Sequence, residues 1–239
     1  MGTGYSIKAK APDVAEIYIY EDVGESWFGG VSAKQFATDL QALGAVSTIN
    51  VRLNSYGGDV FDGLAIYRLL ADHPAHVVSF VDGIAASIAS VIATAGSEIR
   101  IAEAGEIMIH DAWSVAIGPA SEMRAVADRL DAVSSSIADV YAARTGQSKA
   151  QIQAWMTAET TFQSGDAVKH GFAQTVLPNV KAAARQRPSA MHWRRVAPSV
   201  AHSAGTAAIV RPLYDEKVQR LARQRARSLL SQPVRDAGV

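Results

Sequence analysis

Between residues 15 and 109 the hydrophobic period of the chain switches repeatedly from two to about 3.6 and back, which leaves few folds open. Residues 15–20 (AEIYIY) alternate and are rich in β-branched and aromatic side chains, as a strand requires. Residues 32–43 (SAKQFATDLQAL) open on a capping serine and set Phe36, Leu40 and Leu43 on one helical face. Residues 47–53 (STINVRL) predict a second strand, ended by the turn Asn54-Ser55-Tyr56-Gly57-Gly58. Phe61, Leu64, Ala65, Tyr67 and Leu69 then line a helix, and residues 76–81 supply a third strand. Strand, helix, strand, glycine turn, helix, strand is the rhythm of a layered α/β domain with right-handed crossovers.

Residues 98–102 (EIRIA) and 106–109 (EIMI) predict two short strands separated by Gly105. Over residues 121–144, Met123, Val126, Leu130, Val133, Ile137 and Val140 are spaced by three and four, which makes an apolar stripe on a helix of about six turns. Such a stripe packs against its own domain or against a second subunit. The most apolar stretch, residues 77–95, is interrupted by Asp82 and Gly83, so it reads as a buried strand, a turn and a small-residue helix rather than a membrane span. The N-terminal MGTGYSIKAKAPD has two lysines but no apolar run behind them, and the expected location is the cytoplasm.

The 23 basic and 23 acidic residues cancel, but they are unevenly placed. Residues 1–180 hold 11 Lys/Arg and 20 Asp/Glu, whereas residues 181–239 hold 12 and 3. An acidic domain over 1–180 and a basic extension over 181–239 are therefore expected. The extension opens as a linker and becomes helix-prone at residues 215–230 (DEKVQRLARQRARSLL), a segment suited either to solvent or to electrostatic contact with an acidic scaffold protein, a neighbouring subunit or nucleic acid. With no cysteine, the chain has no disulfide framework, thiolate metal site or thiol nucleophile.

Two strand-to-helix junctions could carry chemistry. Gly57-Gly58 fits neither dinucleotide nor Walker spacing, so phosphate binding competes with a second role: exposing a bare backbone N–H to stabilise an oxyanion. In Gly83-Ile84-Ala85-Ala86-Ser87, the serine is either a helix N-cap or a nucleophile in the field of unpaired amides, with alanines leaving room for a substrate backbone. Of the six histidines, His73 and His76 flank a proline loop, and His192 and His202 lie in the basic extension. His110 stands apart from His170 and the rest because it ends an apolar strand and is followed at once by Asp111.

Taken together, NSYGGDVFDGLAIYRLL, VDGIAASIASVIATAG, EIMIHDAW, ARTGQS and ETTFQSGDAVKHGFA resemble, in order and spacing, the ClpP-like serine peptidases over about residues 15–178. INVRLNSYGGDVFDGLAIY and ETTF are most similar to the phage and prophage branch that serves as head maturation (prohead) protease. The resemblance implies a crotonase-like α/β spiral of ββα units with a long handle helix over residues 121–144, and a ring or double ring of subunits. It implies Ser87 as nucleophile, His110 as general base, and the backbone amides of Gly58 and Ile88 as oxyanion donors, with no metal or cofactor. Counting without a gap from Thr145-Gly146 to Gly171-Phe172 sets Glu159 where the housekeeping family has aspartate; a one-residue shift that aligns Phe162 selects Thr160. A carboxylate holds the imidazole tautomer better than a hydroxyl, which favours Glu159.

The expected activity is an ATP-independent serine endopeptidase that cleaves scaffold and capsid proteins. The first fifteen residues do not resemble the housekeeping gate, so no ATPase partner is expected. The rivals are a Clp ATPase-dependent general peptidase subunit, an acyl-CoA enzyme of the same fold, and a non-catalytic capsid-assembly or scaffolding component.

Overall fold

The computed structural model describes residues 5–24 and 30–179; the basic extension and its expected helix over 215–230 lie outside the described residues. Eight strands form one sheet among the described residues: β1 (Tyr5–Ala11), β2 (Val14–Ile19), β3 (Thr48–Ser55), β4 (His76–Ala86), β5 (Glu98–Ala102), β6 (Glu106–Ile109), β7 (Thr160–Gln163) and β8 (Thr175–Leu177). The order is β1-β2-β3-β4-β5-β8, with β6 on β4 and β7 on β6. All neighbours are parallel except the β1–β2 hairpin and the β6–β7 pair. This is the mixed α/β architecture that the alternating periods predict.

One face of the sheet is apolar and carries the helices. Ile17, Ile19, Ile49, Val51, Leu53 and Val81 are buried against Phe36 and Leu40 of α1 (Ala33–Ala42) and Ile66 and Leu70 of α2 (Val60–Ala71). The other face is polar and aromatic. Tyr18, Arg52, Phe80 and Arg100 share one cross-strand row, with both guanidiniums over the Phe80 ring and Arg52 also paired with Asp82. A period of two along each strand produces the two faces directly.

Two elements differ from expectation. Strand β1 is unanticipated because SIKAKA is largely exposed; its hairpin contacts with β2, and not burial, hold it. Strand β4 runs to Ala86 instead of ending near residue 81, and only then gives way to α3 (Ile88–Ala93). Residues Val78–Val81 pair with β5 and Ile84–Ala86 with β6, so the strand changes partners across Asp82-Gly83. There the β3 register slips, and the Asn54 side chain fills the gap by accepting from the Ile84 amide at 3.3 Å. A side chain at residue 83 would meet that Asn54 oxygen at 2.5 Å and displace it from the Ile84 amide.

The long helix α4 (Ala120–Thr145) has the expected extent. Its C-terminal half buries Ile137, Ala138 and Tyr141, whereas its N-terminal half leaves Met123 51% exposed, so only part of the stripe packs within the subunit. After the left-handed Gly146, α5 (Lys149–Thr157), β7 and α6 (Ser164–Lys169) close over a cluster of Tyr141, Trp155, Phe162, His170 and Phe172. No helix among the described residues is long and apolar enough to cross a membrane.

Candidate active site

Ser87 sits where β4 ends and α3 begins, with φ 54° and ψ −131°. A positive φ is strained for any residue with a side chain, and such strain concentrates where a reactive group must stand clear of its own backbone. The Ser87 amide still extends the sheet by donating to the Met108 carbonyl of β6 at 2.9 Å. Although Ser87 occupies the N-cap position, its hydroxyl does not cap the helix. It lies 2.8 Å from Nε2 of His110 instead. The reading of Ser87 as an ordinary helix cap is therefore set aside.

His110 follows β6 directly, at the same end of the sheet as Ser87, because Ala86 and Met108 are partners in the β4–β6 ladder. The ring is half-buried. Burial holds its pKa below the ordinary 6.5, partly offset by a hydrogen bond with the Asp111 backbone and by the charges of Glu159 and Asp111. A neutral imidazole protonated on Nδ1 can take the Ser87 proton at Nε2.

Strand β7 is antiparallel to β6, with Thr160 opposite Ile109. Glu159 immediately precedes that pair on one strand as His110 follows it on the other, and the Glu159 charge acts on the His110 ring. Glu159 is exposed and left-handed, φ 50°, with its amide donating to the Met156 carbonyl at the end of α5. Thr160, the other reading of the third position, is committed elsewhere: its hydroxyl donates to the Trp155 carbonyl at 2.8 Å. The neighbouring Asp111 carboxylate accepts from the Thr157 hydroxyl at 2.9 Å, which ties the segment after His110 to α5.

The Gly57-Gly58 turn closes the other side. The Val23 amide donates to the Gly57 carbonyl and the Asp59 amide to the Val23 carbonyl, both at 2.8 Å, so the Gly58 N–H between them faces away from Val23. A Cβ on Gly58 would meet the Val23 oxygen at 2.1 Å. One on Gly57 would lie 2.8 Å from Ser87 Cβ and 3.1 Å from the Ile88 nitrogen, which places this turn against the nucleophile. Neither the Gly58 nor the Ile88 amide donates to another group among the described residues. Two unengaged amides beside a serine–histidine pair can stabilise a tetrahedral oxyanion. The phosphate reading fails here, because the Asp59 carboxylate already caps α2 through the Phe61 and Asp62 amides and would repel an anion.

Sequence reasoning overlooked the supports. Val23, Ser55 and Asn54 hold the two turns, and Ser90, with Tyr141 behind it, holds the carbonyl of Ser87. Tyr141 was findable, since it lies four residues beyond Ile137 on the buried face of α4.

The family model described as Clp protease matches residues 4–180. The ATP-dependent Clp protease proteolytic subunit of Ligilactobacillus salivarius (strain UCC118) is 32% identical over 144 residues, covering 59% of this chain and 73% of the relative. Proteolytic subunit 1 of Synechococcus sp. (strain CC9902) and subunit 2 of Parasynechococcus marenigrum (strain WH8102) are each 29% identical over 140 residues, covering 58% and 71%. With a family match across most of its length and a mixed α/β fold to suit it, the chain belongs to the Clp protease family of serine-type peptidases.

Proposed function

We propose that this chain is a serine endopeptidase in which Ser87 is the nucleophile, His110 the general base, Glu159 the group that orients and stabilises the imidazolium, and the Gly58 and Ile88 amides the oxyanion donors. The contact of 2.8 Å between His110 Nε2 and the hydroxyl of the strained Ser87 carries the reading. His110 takes the Ser87 proton as the oxygen attacks a peptide carbonyl, then gives it to the leaving amine; water repeats the sequence on the acyl-enzyme. Each oxyanion donor contributes about 10²–10³ in turnover. A fluorophosphonate probe should label the wild-type chain and not Ser87→Ala, and the variant should assemble normally but cleave nothing. Full activity in Ser87→Ala would defeat the assignment.

The substrates we propose are capsid and scaffold proteins in phage or prophage head maturation, cut without ATP in the host cytoplasm or within a procapsid. The similarity of INVRLNSYGGDVFDGLAIY and ETTF to that branch supports this. Members of the Clp protease family form oligomeric rings, and the exposed N-terminal half of α4 offers an apolar surface for such an assembly. The names of the relatives favour a second reading, a peptidase subunit working with a Clp ATPase. Incubation with the products of neighbouring genes, followed by mass-spectrometric mapping of cut sites, separates the two from a parallel reaction with ATP and an unfoldase. Site-specific cleavage without ATP supports the first, and folded-protein degradation only with the ATPase supports the second. The basic extension 181–239 is proposed to lie outside the catalytic unit.

A further inference from the structure

The carbonyl oxygen of Ser87 is held by Ser90, with Tyr141 close behind. It accepts from the Ser90 amide at 3.0 Å and the Ser90 hydroxyl at 2.6 Å, and the Tyr141 hydroxyl approaches it at 3.5 Å. Ser90 and Tyr141 are also joined to each other at 2.7 Å, and both are almost fully buried, 2% and 1% exposed. A serine hydroxyl has a single proton. With Ser90 giving that proton to the Ser87 carbonyl across the shorter contact, 2.6 Å against 3.5 Å from Tyr141, the Tyr141 hydroxyl is assigned as the donor to Ser90. The result is a directed chain from Tyr141 to Ser90 to the Ser87 oxygen. Burial pushes the Tyr141 pKa upward, which keeps the phenol protonated and able to donate.

The carbonyl of Ser87 and the amide of Ile88 belong to one peptide unit, which is planar and trans. The two bonds therefore point in opposite directions, and fixing one fixes the other. Ser87 has a backbone conformation that few residues adopt, so local preference alone does not determine the tilt of this plane. We propose that Tyr141, acting through Ser90, is a positioning residue for the oxyanion hole: the buried hydroxyl chain grips the back of the Ser87–Ile88 peptide and so aims the Ile88 N–H at the developing negative charge. The inference rests on the peptidase reading above. It also makes the buried end of α4 part of the catalytic support, because Tyr141 projects from that helix while its ring packs edge-on against Phe172 at 5.8 Å.

The test uses the full chain with Tyr141→Phe, which keeps the ring and removes the hydroxyl, together with Ser90→Ala and the double variant. Hydrolysis of a fluorogenic peptide should show kcat reduced by about threefold to tenfold in each single variant, the range expected for one net hydrogen bond, with KM unchanged. Affinity for a peptide boronate, whose tetrahedral adduct occupies the oxyanion hole, should fall by the same factor, while affinity for the cleaved peptide product should not change. Since both hydroxyls act on one carbonyl, the double variant should lose less than the product of the single losses. Folded Tyr141→Phe and Ser90→Ala variants with wild-type kcat and boronate affinity would overturn the inference, as would losses confined to KM. If Tyr141→Phe does not fold, Ser90→Ala decides by the same criteria. A wild-type chain that the fluorophosphonate fails to label would instead sink the peptidase reading itself, so the two failures are distinguishable.

Discussion

Gly57→Ala puts the architecture of the proposed oxyanion site under direct strain. Gly57 has φ +95°, a region that residues with a Cβ enter at a cost of about 1–3 kcal/mol. The new methyl would meet the Ala86 carbonyl oxygen and Ser87 Cβ at 2.8 Å, and neither can move aside as a flexible side-chain end would. It would also stand 3.1 Å from the Ile88 nitrogen, the separation at which an oxyanion is bound. Two losses of different size are expected. Stability should drop by the backbone cost, which for a folded unit of this size lowers Tm by about 2–12 °C. Activity should drop by the worth of an oxyanion donor, about 10²–10³ in kcat/KM. The assay is hydrolysis of a fluorogenic peptide beside a circular-dichroism melt. Gly44→Ala is the control: φ is +68°, but nothing lies within 4 Å of the added carbon, so it should lose stability without losing activity. A folded Gly57→Ala with kcat/KM within threefold of wild type would refute the reasoning, because the turn could not then lie against the working face of Ser87.

Other outcomes follow from the same geometry. Burial holds the His110 pKa below 6.5, so the acid limb of kcat/KM should have its midpoint below that value; Glu159→Gln removes a charge that raises the pKa and should move the midpoint lower still, and an upward move would contradict the placement. Glu159→Gln should also reduce kcat by about tenfold or more, whereas Thr160→Val, losing only a bond to the Trp155 carbonyl, should stay within about threefold of wild type. Phe162→Ala, which removes a ring stacked on Phe172 at 4.7 Å and edge-on to Trp155 at 5.2 Å, should cost about 3–5 kcal/mol in urea unfolding. Deleting residues 181–239 should preserve small-peptide hydrolysis and change assembly or its salt dependence; loss of hydrolysis in a folded truncated chain would show that the extension belongs to the catalytic unit.

The α/β layering was legible because residues 15–20 and 47–53 and the helices after them obey one period each, and their buried faces coincide with that period. Strand β1 was not legible, since its pairing comes from β2 and its own side chains show little sidedness. The extension of β4 was hidden by Gly83, which reads locally as a breaker and is accommodated only because the distant Asn54 completes the hydrogen bonding. For the site, one residue of register separated Glu159 from Thr160, an ambiguity that spacing alone leaves open and that the β6–β7 ladder addresses by setting Thr160 opposite Ile109. Ser87 and His110 stood out through their places at element ends. The bonding of Tyr141 had no sequence signal of its own, because a buried phenol's partner lies across the fold, 51 residues away in sequence.

Strand β6, which His110 follows directly, has a partner on each side, and the two are made at very different times. Strand β4 precedes β6 on the chain, but β7 follows only after α4 and α5. On a ribosome, residues 58, 87 and 110 therefore emerge long before residue 159 and before Phe162, the ring that β7 contributes to the cluster beneath. Until then the outer edge of β6 lacks its ladder, and the carboxylate proposed to orient the imidazole has not been made. Non-local pairings of this kind form late in folding. On the proposed assignment of Glu159, the order of the chain thus delivers the nucleophile and the base first, and the orienting carboxylate only when nearly the whole core has been translated.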